Sequence, residues 1–212
     1  MTPLMQVFLF FILFISFSNA DLLQDFCVAD LSSPQGLAGY PCKSLCNVTA
    51  DDFVFTGFRS PGNTSNSYRI SITPAFAVQW PAVNGLGIST VWLEVAPGGR
   101  VPIHTHPGGT ELLVVIEGTL IGGFISSSNK VYVKKLEAYD AMIFPQGLLH
   151  FQVNAGSVKA KALESFSSPS PGVQVTSTAL FGNDLPSEIL EKVSSIDVAE
   201  MKKLKAMFGR TN

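Results

Sequence analysis

Between Tyr68 and Phe181 apolar residues come in short runs cut by Gly, Pro, Asn and Ser: YRISIT, FAVQW, GISTVWLEVA, TELLVVIEG, LIGGFIS, KVYVKKL, DAMIF, LLHFQVN, AKALESF and QVTSTALF. Runs this short and this often interrupted predict β-strands, with neither a strand–helix alternation nor an internal repeat. The spacing predicts an all-β antiparallel sandwich or barrel over about residues 62–181. Beyond it the period changes. Asn183, Asp184 and Pro186 open a helical stretch with Ile189, Leu190 and Val193 on one side. A second helix is predicted with Asp197 as N-cap, Glu200 as its capping-box partner, and Ile196 and Met201 as a hydrophobic staple. Val198, Met201, Leu204 and Phe208 recur at helical spacing until Gly209 ends the run. That stripe either covers the chain's own barrel or meets another subunit.

The N-terminus reads differently. Residues 1–20 carry no charged side chain, and the apolar stretch from Val7 to Phe17, broken only by Ser16, is too short to span a bilayer by itself. With Ser18 and Ala20 as a small-residue cleavage site before Asp21, this is a signal peptide of a secreted protein. The n-region lacks Lys or Arg, so an uncleaved anchor or a buried strand stands as the alternative. Residues 21–212, within a chain of 46% hydrophobic and 14% charged residues, suit a single domain with a large core. A formal net charge of -2 gives no electrostatic case for nucleic acid, and the short KKLK run reads as a solvated helix face. An oxidising compartment permits disulfides among Cys27, Cys42 and Cys46, and the sequons at Asn47 and Asn63 lie in polar, turn-rich segments.

The chemistry concentrates in PGGRVPIHTHPGGTELLVVIEG, Pro97 to Gly118. His104 and His106, two apart on a strand, project to one side with Thr105 facing away. Pro107, Gly108 and Gly109 supply a turn, after which Glu111 opens the next apolar run, so a carboxylate returns toward the same point. His150, the third histidine of the chain, lies in the apolar segment FPQGLLHFQVN. Buried imidazoles and a carboxylate without a metal or a partner would cost several kcal/mol, on the order of a lost core contact or more. His104, His106, Glu111 and His150 are therefore the expected ligands of one metal ion with open coordination positions; a closed structural zinc site would be richer in Cys.

This stretch resembles the first motif of the cupin family as found in germins and germin-like proteins, with Gly98, His104, His106, Glu111 and Gly118 at the family's spacing. Pro145, Gly147, His150 and Asn154 match the second motif. One motif glycine is missing, since EAYDAMIF has Tyr139 where the family has Gly before the Asp of a tight turn. Similarity extends through DFCVADL, GLAGYPCK, NVTADDFVF, PAVNGLGIS and FSSPSPG, and is greatest to the auxin-binding germin-like proteins.

The resemblance implies a cupin jelly-roll β-barrel with C-terminal helices over about residues 184–208 that clasp a neighbouring subunit, and dimers joined into a hexamer. It implies manganese as cofactor, with Fe or Zn chemically possible. It also pairs Cys27 with Cys42 and leaves Cys46 over, although the sequence alone equally allows Cys27 with Cys46, a free thiol or an intermolecular bond. Three functions are open: superoxide disproportionation in the extracellular space or cell wall, non-enzymatic binding of an auxin-like carboxylate, and oxalate oxidation. The last is disfavoured, because the resemblance implies two asparagines that hold oxalate. Asn84 matches the first and would position substrate or water, whereas Val91 stands at the second.

Overall fold

Alternation along the strands decides which residues fill the interior. In β2 (Ser89–Val95), Val91, Leu93 and Val95 are buried, and in β4 (Glu111–Glu117) Leu113 and Val115 are buried while Leu112 and Ile116 face out. β9 (Ala160–Phe166) pairs with both and buries Ala160, Ala162, Glu164 and Phe166. With β1 (Ile70–Ala75) and β7 (Ala141–Phe144) these form one antiparallel sheet in the order β1-β2-β9-β4-β7. The second sheet has the order β10-β3-β8-β5-β6, built from β3 (Arg100–Thr105), β5 (Thr119–Ile125), β6 (Val131–Glu137), β8 (Leu149–Val153) and β10 (Gln174–Val175). Two five-stranded antiparallel sheets with their apolar faces together make the expected all-β jelly-roll arrangement.

This computed structural model describes residues 24–210, so the expected signal peptide lies outside the described residues. Leu93, Val95, Val101, Leu113, Val115, Leu120, Leu136 and Phe144 join in one apolar cluster between the sheets. Burial of each such side chain contributes about 1.5–3 kcal/mol relative to exposure. The cluster fills one end of the sandwich. Glu111, Phe166 and Ser89, which are register partners across three strands, mark the other end, where the polar residues collect, and Phe144 of the cluster borders that end as the partner of Glu111.

Two expected strands take other forms. FAVQW is a turn, because the Gln79 and Trp80 N–H groups both donate to Phe76 O at 2.9 and 2.7 Å. In QVTSTALF only Gln174 and Val175 pair, with Thr105 and His104. Beyond Val175 the chain leaves β3 and turns into helix α1 (Thr176–Phe181).

Gly118, between β4 and β5, has φ 75°, and a Cβ there would meet Lys159 O at 2.9 Å, so glycine is required. Tyr139 also sits in the left-handed region, φ 74°. The turn the family builds with glycine therefore forms here with tyrosine, held by Tyr139 N–H to Val115 O at 2.8 Å and Glu137 N–H to Asp140 Oδ2 at 2.8 Å. The side chain stays in solvent, and the backbone strain costs about 1–2 kcal/mol.

At the C-terminus, α2 (Ser187–Ser194) and α3 (Val198–Ala206) form as expected. Asp197 caps α3 by accepting from Ala199 N and Glu200 N at 2.9 and 3.1 Å. Glu200 pairs with Lys203 at 3.2 Å rather than closing a capping box. Leu190 and Met201 are buried within this one chain, as is Lys205, whose Nζ donates to Leu185 O. Val193 and Met207 stay exposed. Among the described residues no helix is long and apolar enough to cross a membrane.

Candidate metal centre

Ladder register brings the first two ligands together. His104 on β3 and His150 on β8 are cross-strand partners, and their ring centroids lie 4.1 Å apart. His106 follows directly after β3, with its ring 5.0 Å from that of His104. Glu111 comes from the opposite sheet as the first residue of β4. All four are buried, and their ligand atoms lie within 4.8 Å of one another. The quartet expected from the sequence is therefore assembled between the two sheets.

The hydrogen bonds behind the rings fix what the rings offer. His104 Nδ1 and His150 Nδ1 donate to Pro102 O and Leu148 O at 2.9 and 2.8 Å, and His106 Nδ1 donates to Gly172 O. A carbonyl can only accept, so each Nδ1 carries the proton and each Nε2 keeps its lone pair in the neutral ring. Those lone pairs face Glu111 Oε2, which is 3.2 Å from His106 Nε2 and 3.1 Å from His150 Nε2. Four acceptors facing one point need a cation between them, and three imidazole nitrogens with one carboxylate oxygen suit a divalent transition ion. Burial and the neighbouring His150 hold the His104 pKa down at about 4, which keeps that ring neutral. For Glu111, burial pushes upward, but in the metal-free site a proton on the neighbouring Nε2 of His106 or His150 outweighs it and holds the pKa at about 2; a bound ion takes that proton's place.

Several residues that the sequence reading passed over support this quartet. Gln152 Nε2 donates to Glu111 Oε1 at 3.2 Å and fixes the carboxylate plane. Phe144 stacks on His150 with centroids 4.7 Å apart, and Phe166 meets His106 edge-on at 4.7 Å, so apolar rings close off two sides. Asn154, a residue of the second motif, stands outside the quartet. Its amide donates to Val95 O and Val158 O at 2.8 Å each and ties strand ends together.

On its remaining side the quartet faces a cavity of about 370 Å³ that opens between the sheet edges β1 and β10. His104 and His106 form part of its wall, and the rest is almost wholly apolar, including Ile70, Val91, Leu93, Val101 and Phe166. The exception is Glu164. It shares the inward phase of Ala160, Ala162 and Phe166 on β9, a signal present in AKALESF. Burial, reinforced by the charge of Glu111, drives its carboxyl well above the usual range.

Asn84 was expected to position substrate or water. It is buried, but its amide donates to Tyr40 O and Cys27 O at 2.9 and 3.2 Å and its oxygen accepts from Tyr40 N at 3.1 Å. Its amide is thus engaged on the N-terminal loop, and Asn84 is not among the residues that line the cavity. Val91, by contrast, does line the cavity. The loop that Asn84 holds is closed by a Cys27–Cys42 disulfide, which settles the pairing, and Cys46 is an exposed free thiol. Asn47 and Asn63 are both exposed.

Comparison with known proteins agrees with this construction. The cupin family signature matches residues 56–202. An auxin-binding protein, ABP19a of Prunus persica, is 53% identical over 206 residues, covering 97% of this chain and 98% of its own. Germin-like protein subfamily 3 member 3 of Arabidopsis thaliana is 52% identical over 212 residues, covering 100% of both chains. Among solved structures, oxalate oxidase in complex with the substrate analogue glycolate superposes with a TM-score of 0.84 at 35% identity, covering 89% of this chain and 96% of the other. Family signature, full-length relatives and the assembled His104, His106, Glu111 and His150 quartet agree, and the chain belongs to the cupin family as a germin-like protein.

Proposed function

We propose that this germin-like protein is a secreted, manganese-dependent superoxide dismutase of the extracellular space or cell wall. The observation that carries the reading is the set of four inward-facing acceptors with no donor among them, open on one side to a cavity. Manganese bound there supplies one-electron exchange. The chain's own contribution is to hold the three Nε2 lone pairs in place through Nδ1–H bonds, and to fix Glu111 through Gln152. Phe144 and Phe166 keep bulk water off the rings. In the overall reaction two superoxide ions and two protons give one dioxygen and one hydrogen peroxide, so one superoxide is oxidised and the other reduced. Superoxide needs no orienting groups. Oxalate does, and the cavity offers Val91 where an amide donor would have to stand, which leaves a polar oxygen unpaired at about 1–3 kcal/mol.

A second reading rests on the same cavity: its volume and apolar wall suit the hydrocarbon part of an auxin-like carboxylate, as the name of the Prunus persica relative also suggests. Secretion, glycans on Asn47 and Asn63, and a hexamer built as a trimer of dimers belong to the proposal as well. The test is superoxide disproportionation by metal-replete protein, freed of released manganese, beside His106→Ala. The wild type should be much faster, and both should be inactive on oxalate. A wild type no faster than His106→Ala, yet able to bind a carboxylate tightly, replaces the enzyme reading with the binding one.

A further inference from the structure

Glu164 has no place in the chemistry above, yet it occupies an interior position between Val91 of β2 and Leu113 of β4, where an apolar side chain would complete the row. No hydrogen bond or ion pair to its carboxyl occurs among the described residues; Glu111 influences it only through its charge. A buried carboxyl without a partner destabilises the fold, and the cavity is what its head group opens on.

We propose that Glu164 is the specificity-determining group of this cavity, donating a hydrogen bond from its carboxyl to an acceptor oxygen of an apolar monocarboxylate whose hydrocarbon body fills the space beside His104 and His106. The proposal rests on the binding reading of the cavity. Charge decides between ligand classes. A divalent ion and the Glu111 carboxylate leave one positive charge at the centre, which a monoanion neutralises while Glu164 stays uncharged and donates. A dianion such as oxalate would leave a net negative charge in an apolar wall. An amine would require Glu164 ionised and would bring a second cation toward the metal.

The test uses manganese-loaded full-length protein and three probes, 2-naphthylacetate, the corresponding naphthylethylamine, and oxalate, with dissociation constants from calorimetry and metal content measured for each variant. The wild type is expected to bind the acid at least about tenfold more tightly than the amine or oxalate. Glu164→Gln, which keeps a donor of similar shape, should stay within about threefold of wild type for the acid, whereas Glu164→Leu should lose about ten- to a hundredfold at unchanged metal content. Equal binding of the acid by wild type and Glu164→Leu, or tighter binding of the amine, overturns the assignment to Glu164. A wild type that binds none of the probes overturns the cavity reading itself, and the proposal with it.

Discussion

Replacing Glu164 by Leu should stabilise the protein. The carboxyl lies on the interior face of β9 in the row Val91, Glu164, Leu113, and no donor or acceptor reaches it among the described residues. At pH 4, where the group is largely neutral both folded and unfolded, the gain is the desolvation cost of a partnerless polar group, about 1–3 kcal/mol. Raising the pH enlarges it. The folded-state pKa is raised above the unfolded carboxyl value, first by burial and then by Glu111. Between those two values the unfolded chain has released a proton that the folded chain still holds. Stability attributable to Glu164 is thus fully present below the unfolded pKa of about 4.5 and is lost at about 1.4 kcal/mol per pH unit until the folded pKa is reached. Guanidinium titrations of wild type and Glu164→Leu, both in the same metal state with the disulfide intact, measure the difference at pH 4, 5.5 and 7. Using the difference cancels the opposite pH dependence contributed by Glu111, whose pKa is lowered in the fold. A variant less stable than wild type at pH 7, or a gap that narrows as pH rises, would refute the reasoning.

Three further outcomes are expected. Replacing Cys27 and Cys42 together by Ala frees a loop of sequence separation 15 and should lower stability by about 3 kcal/mol, read as a guanidinium midpoint shift, while metal content is unchanged; loss of metal would tie the loop to the centre. Tyr139→Gly relieves left-handed strain of about 1–2 kcal/mol but adds about 0.5–1 kcal/mol of unfolded-chain entropy, so the melting temperature should rise by a few degrees at most, and a fall would show that the tyrosine ring has a contact of its own. Val193→Glu with Met207→Glu alters side chains exposed in the single chain, so light scattering should detect smaller species of unchanged fold; an unchanged mass would place the subunit interface elsewhere.

The quartet was legible because its information is local. H-x-H, a turn and a Glu keep three ligands within eight residues, and His150 was the one remaining histidine; that His106 lies just past β3 and Glu111 on the opposite sheet was not legible. Strand runs with clear alternation were legible for the same reason. FAVQW was not, because a turn closed on Phe76 O leaves no mark in an apolar pattern. QVTSTALF failed because only its first two residues find partners on β3, and the chain then turns into α1. For Asn84, resemblance locates the residue along the chain and says nothing of the loop on which its amide is engaged. The stripe of Val198, Met201, Leu204 and Phe208 had two readings, and at Met201 the chain covers itself.

The same geometry makes the metal centre a structural link between the sheets. His104 and His150 belong to one sheet and their separation is set by the ladder, while Glu111 belongs to the other. An ion bound by all four therefore holds the sheets at a fixed distance at the end of the sandwich that the apolar cluster only borders, through Phe144, Leu93 and Val101. Binding free energy adds to folding free energy in proportion to the logarithm of ion concentration over its dissociation constant, so metal loading stabilises that end in particular. This accounts for how the fold tolerates a cavity and a partnerless carboxyl there. Val95, Leu113 and Val115 close the other end by burial alone, and the open end gives up apolar packing for a site that the ion completes.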